Sequence, residues 1–251
     1  MTHKHKSKNE DSTNKKLKKS AKTFPKQNNT LENFIIVNHI STTEKVEKIW
    51  SGLNREEKLL LKDEFNQMHV DWLYLLKNEL QTDYYLNIKR QIKIIEDKGI
   101  EILPPRNLRF RCFKYSPNDI SVIIVGQDPY PNDADGLAFS SKSIKPSLRA
   151  VFNLLKWDLG AGNWKQPKTG SLEKWSKNVL LINSILTVEK GKSKSHEFIG
   201  WQKFTDNVIK LLGNKQEIVT MLWGKYAKEK ADLLKNGYII KSGHPSPMNR
   251  E

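Results

Sequence analysis

The sequence predicts an α/β protein: a single domain with a central four-stranded parallel sheet flanked by helices on both faces, preceded by a basic tail and a helical extension. Three observations predict it. Four short runs, at 121–125, 179–182, 217–222 and 238–241, are apolar over nearly their whole length, as in strands buried on both faces. Stretches with helical spacing lie between them, at 147–159, 200–212 and 226–236. Upstream of Pro104 and Pro105 the pattern is helical, and the rhythm changes after this pair because proline restricts both itself and the residue before it. Strands alternating with helices imply parallel pairing through right-handed crossovers.

Residues 1–30 are lysine, serine, asparagine and threonine, with Leu17 and Phe24 the only large apolar residues after Met1. Such a segment buries too little surface to order itself and is expected to be a disordered basic tail. Its run Lys15, Lys16, Leu17, Lys18, Lys19 suits an import signal, a DNA tether or plain solubilisation alike. Residues 31–70 form the N-terminal helical extension and 71–251 the domain proper. Across 41–99, Leu59, Leu60, Phe65, Trp72, Leu73, Leu76, Leu80, Ile88, Ile92 and Ile95 recur at three- and four-residue intervals, which predicts helices that cap or flank a core.

A net charge of +15 points to an acidic partner, because neutralising phosphates releases counterions; a lysine-rich coding bias gives the same number without any binding face. Cys112 is the single cysteine, so no internal disulfide forms, and Phe110 and Phe113 around it suggest a packed position. The six histidines are scattered, and neither a metal nor a cofactor is expected. No apolar run approaches the roughly 18–20 residues that cross a bilayer, and residues 1–7 are polar, so a soluble intracellular protein is expected.

In parallel sheets ligands bind beyond the carboxyl ends of the strands. There the sequence has Gly126, Gln127, Asp128, Pro129, Tyr130 after the first run, Asn183 and Ser184 after the second, Trp223, Gly224, Lys225 after the third, and Gly243, His244, Pro245, Ser246 after the fourth. A carboxylate, an amide, an aromatic ring and an imidazole converging in one cleft suit acid/base or electrostatic catalysis on a planar polar ligand. Each also has a plain structural reading: Asp128 capping the turn before Pro129, Asn183 closing a strand, His244 as a satisfied core histidine.

Four strings then occur in one order: G-Q-D-P-Y at 126–130, G-L-A-F-S at 136–140, L-L-I-N-S-I-L-T-V at 180–188 and H-P-S-P at 244–247. Together they resemble the family-1 uracil-DNA glycosylases, with weaker echoes at Lys145 to Leu148, Ser195-His196 leading to Gly200-Trp201, and Leu222 to Gly224. The resemblance covers the chain from about Trp72. It implies hydrolysis of the N-glycosidic bond of uracil in DNA by base flipping, leaving an abasic site for base-excision repair. By resemblance Asp128 orients the attacking water and stabilises the oxocarbenium-like sugar, and His244 is a neutral donor to the charge developing on uracil O2. Asn183 pairs with the N3 and O4 edge, Phe139 stacks on the ring, Tyr130 fills the space of a thymine methyl, and Gln127 adds contacts to the base. Ser147, Ser246 and Lys225 meet phosphates, and Met248 stands where the family's wedge, usually leucine, enters the base stack. The implied partner is uracil-containing DNA, single- or double-stranded, met by a monomer, with replication or repair proteins as further partners.

Two departures stand out. Pro131 occupies the place of a histidine common among cellular members, and the sequence ends at Glu251, so it is expected to lack the family's closing C-terminal segment. The alternative reading is therefore a glycosylase-like binding module that has lost turnover, and a small-molecule hydrolase is a third.

Overall fold

The computed structural model describes residues 41–247 apart from residue 161; the basic tail at 1–30 and Met248 lie outside the described residues. The chain enters through helices α1 (Thr42–Trp50), α2 (Arg55–Leu60), α3 (Lys62–Gln67), α4 (Val70–Leu75), α5 (Lys77–Leu80) and α6 (Asp83–Asp97). The first two start at reciprocal capping boxes, Ser41 with Glu44 and Asn54 with Glu57, in which side chain and backbone satisfy each other's free donors. On α6 the buried residues Tyr85, Ile88, Lys89 and Ile92 fall on one face at helical spacing. Leu59, which the periodicity groups with the core, is instead 65% exposed on α2.

These helices share one apolar cluster with the sheet, running from Ile49 through Trp72 and Ile123 to Leu234. Polar ties cross the same boundary. Glu64 on α3 is fully buried, accepts from Tyr85 Oη at 2.7 Å and pairs with Lys89 Nζ at 2.9 Å on α6. Asp71 on α4 takes Lys45 Nζ at 2.5 Å and the Ser116 hydroxyl at 2.7 Å. Trp72 donates its indole N–H to the Tyr115 carbonyl at 2.9 Å.

After the helices come β1 (Ile102–Leu103), β2 (Val122–Gly126), α7 (Pro146–Leu159), β3 (Val179–Asn183), β4 (Val188–Glu189), α8 (Trp201–Gly213), β5 (Val219–Trp223), α9 (Gly224–Lys228) and β6 (Tyr238–Ser242). The main sheet is four-stranded and all parallel, in the order β3-β2-β5-β6. The chain steps from β2 to β3 on one side and then crosses to β5 on the other. The carboxyl ends of β2 and β5 thus flank the topological switch point at which α/β sheets bind ligands.

Two expectations need correction. The fourth strand is not buried on both faces: in β6, which among the described residues pairs with β5 alone, Tyr238 and Ile240 are exposed. The helix expected over 226–236 starts earlier and ends sooner, as α9 followed by a 3₁₀ turn over Glu229–Leu233. Asn214 decides this: its amide nitrogen donates to the Leu233 carbonyl, and its carbonyl oxygen takes the N–H of Lys235 at 2.6 Å, so these groups leave the helical pattern. The two-stranded antiparallel pair of β1 with β4 was not predicted, since two residues carry no periodicity.

Removing one partner of a buried ion pair strands the other charge. Glu64→Ala is expected to destabilise the fold by about 3 kcal/mol, read as a lower urea midpoint with an unchanged slope.

Candidate active site

The first wall of the site comes from β2. In register, Gly126 lies opposite Asn183 of β3, and the two strands end side by side. A Cβ on Gly126 would stand 2.1 Å from Asn183 Oδ1, so only glycine lets the Asn183 amide lie across the strand end. The next turns are locked to β3 by the N–H groups of Ser184 and Ile185, which donate to the carbonyls of Gly126 and Gln127 at 2.9 Å.

The G-L-A-F-S string forms the second wall. Gly136 has φ +91°, and a side chain there would run into the Leu108 carbonyl. Asp135 organises the turn, accepting from the Ser140 hydroxyl at 2.7 Å and from Arg111 Nη1 at 3.0 Å. The Ala138 N–H is tied to the Leu181 carbonyl of β3 at 3.1 Å. Between these anchors Phe139 is held at φ +62°, a conformation that costs about 1–3 kcal/mol outside glycine. Its ring packs against Trp223 at 5.2 Å and His244 at 5.8 Å.

His244 follows β6. The backbone N–H of Ser246 donates to its Nδ1 at 3.0 Å, so Nδ1 is an acceptor and the ring proton of the neutral form sits on Nε2. Burial holds its pKa below the ordinary 6.5, which favours that neutral form. Gly224, at φ +82°, leaves the space: a Cβ there would lie 2.7 Å from that of His244.

Asp128 is held from the loop that leads into the Ser195-His196 echo, by two residues just before it that the sequence did not single out. The Ser193 hydroxyl and the Lys194 N–H both donate to its Oδ2, at 2.7 and 2.8 Å. Lys194 has φ +60°; it and Phe139 are the only non-glycine residues with positive φ among those described. The loop rests on a buried chain in which the Trp201 indole donates to Thr187 Oγ1 at 2.7 Å and that hydroxyl meets His196 Nδ1 at 2.8 Å. Burial lowers the His196 pKa as well.

A cavity of about 260 Å³ gathers Gln127, Asp128, Tyr130, Phe139, Ser147, Asn183 and His244, together with Pro131, Leu137 and Ser193. Tyr130 is pushed up to about 12 by burial, so its phenol stays neutral, and it shares the cavity lining with Ser147 in the first turn of α7. Lys225 does not line this cavity; it borders an adjoining one of about 200 Å³ that shares Gln127, Phe139 and His244. Ser246 contributes its N–H to His244, and Met248 lies outside the described residues. Sequence reasoning missed Ser193 and Lys194, whose only signal is a serine among lysines.

Fold and cleft together define a doubly wound α/β enzyme with a polar, ring-sized site at its switch point, a carboxylate and a neutral imidazole in one cavity. The chain belongs to the Uracil DNA glycosylase superfamily, whose sequence profile matches residues 113–251. It is 44% identical over 204 residues to the uracil-DNA glycosylase of Campylobacter jejuni subsp. jejuni, covering 77% of this chain and 87% of that protein. It is 45% identical over 196 residues to that of Clostridium perfringens, covering 74% and 84%. Among solved structures it is similar to mimivirus uracil-DNA glycosylase, with TM-score 0.68 and 28% identity over 74% of this chain and 71% of that one. A variant of the mimivirus protein in complex with UGI matches with TM-score 0.67 and 27% identity, over 74% and 73%.

For a half-buried histidine with a depressed pKa, the native state binds fewer protons than the unfolded chain as pH falls past 6.5. Its stabilising contribution is complete above that value and is lost as pH falls through the native midpoint. An NMR titration should place the His244 midpoint below 6.5 and show the Nε2–H tautomer above it. Gly224→Ala should displace the imidazole and cut turnover at least roughly ten-fold while the protein stays folded.

Proposed function

We propose that this chain is a uracil-DNA glycosylase that takes a flipped uracil into the 260 Å³ cavity and hydrolyses its bond to deoxyribose. One observation carries the reading: Asp128, His244, Asn183, Tyr130 and Phe139, drawn from four separate stretches of chain, line a single cavity. Its volume lies below the roughly 300–1,000 Å³ of drug-sized pockets, which suits one base rather than a base pair.

Phe139, braced by Trp223, stacks on the uracil ring. Asn183, 8% exposed and fixed over Gly126, offers an amide whose acceptor meets N3–H and whose donor meets O4. Cytosine reverses that pattern and would leave a buried amide unpaired. Tyr130, neutral and packed in the cavity wall, stands against a methyl at C5, excluding thymine by shape. Gln127 adds a contact to the base edge.

As the C1′–N1 bond breaks, its electron pair passes into the uracil ring and charge grows on O2. The Nε2–H of His244, already directed by the hydrogen bond at Nδ1, donates to that oxygen without giving up its proton. Asp128 faces the cationic sugar and orients water; the water oxygen bonds to C1′, and its proton passes to the carboxylate. Both protein donors to Asp128 go to Oδ2, leaving Oδ1 for the sugar and water. Ser147 at the start of α7 contacts a phosphate flanking the flipped nucleotide, favoured by the helix N-terminus, and Ser246 and Lys225 contact others. Met248 fills the gap left in the stack. One chain supplies the whole set, so a monomer suffices on single- or double-stranded DNA.

Single-turnover assays on uracil, thymine and cytosine oligonucleotides test this. Release is expected from the uracil strand alone, reduced about 10²–10⁴-fold in Asp128→Asn and about 10²–10³-fold in His244→Leu. DNA binding by a folded protein without release would leave the binding-module reading instead.

A further inference from the structure

We propose that Ser193 is a positioning residue for Asp128, setting which carboxylate oxygen faces the reacting sugar. The inference rests on the glycosylase reading of the site and adds to it a residue outside the strand-end strings. Asp128 follows β2 on a turn closed by Pro129, and its neighbour Pro131 has no hydrogen-bond donor of its own. Its two donors come from the other side of the cleft, where the Ser193 hydroxyl and the Lys194 N–H converge on Oδ2. Two donors on one oxygen fix the carboxylate's torsion and draw its negative charge to that side. Oδ1 is then presented in one orientation.

The loop carrying Ser193 is built without the help of this bond. The Gly191 N–H donates to the Pro131 carbonyl at 2.8 Å, and the Glu189 N–H donates to the Ser195 hydroxyl at 2.7 Å. The flanking β4 pairs with β1, and His196 is buried against Thr187. Ser193 itself is exposed, so its hydroxyl is not needed to fill the core. Lys194 holds a left-handed conformation directly after the two donors, and the loop's anchors sustain it. The hydroxyl therefore acts on Asp128 rather than on the fold.

The test is a mutant cycle read by single-turnover uracil release at saturating enzyme. Ser193→Ala should lower the maximal rate about ten-fold, the scale of one hydrogen bond to a charged group, with the half-saturating concentration and melting temperature unchanged. Ser193→Thr, which keeps the hydroxyl, should restore most of the rate. In an Asp128→Ala background Ser193→Ala should have no further effect, since nothing remains to be positioned. An unchanged rate in Ser193→Ala, a loss appearing in half-saturation or stability, or the same loss with and without Asp128 would each overturn the inference. A wild-type chain that releases no uracil would instead remove the glycosylase reading, and this inference with it.

Discussion

The register between β2 and β3 is the constraint on which the rest of this structure depends. Gly126 opposite Asn183 brings two strand ends level, and the missing side chain lets the Asn183 amide lie across β2. Slipping that register by one residue would reverse the faces of a strand whose residues Ile123 to Gly126 are all buried. It would also uncouple Asp128 from Asn183. The apolar runs of the two central strands thus do more than build a core. They set where the polar residues that follow them come to rest.

Around that register the chain accepts strain to orient its chemistry. Phe139 and Lys194 both occupy left-handed backbone, each clamped by neighbours: Asp135, Ser140 and Leu181 around the first, Thr187, His196 and the Pro131 carbonyl around the second. His244 is fixed by different means, a hydrogen bond at Nδ1 and a glycine beside it. The common result is that donors and rings are directed before a substrate arrives, so the reorganisation cost falls on folding.

The helices before the sheet belong to the same core. Buried ion pairs cost desolvation, and Glu64 with Lys89 or Asp71 with Lys45 are retained where apolar residues would pack. Their partners lie on different helices, so they set how α1, α3, α4 and α6 meet. The helical spacing of Leu76, Leu80, Ile88 and Ile92 made these helices legible. It misjudged Leu59, because periodicity assigns a face without knowing whether another element covers it.

What the sequence by itself determined was the α/β class, the four parallel strands to within two or three residues, and which residues follow the strand ends. The apolar runs of β2 and β3 report burial directly, and in a parallel sheet the residues after each run fall at one end. The strings at 126–130, 136–140, 180–188 and 244–247 carried the family resemblance. Tertiary structure alone decided the exposed edge of β6, the early end of α9, the seat of Lys225 beside the main cavity, and the hold of Ser193 and Lys194 on Asp128. Two of these depend on a neighbour distant in sequence: Asn214 reaching across to Leu233, and a loop 65 residues after Asp128 folding back to it. Local pattern records what a residue can bury or turn, whereas contacts closed over such distances exist only once the core has brought them together.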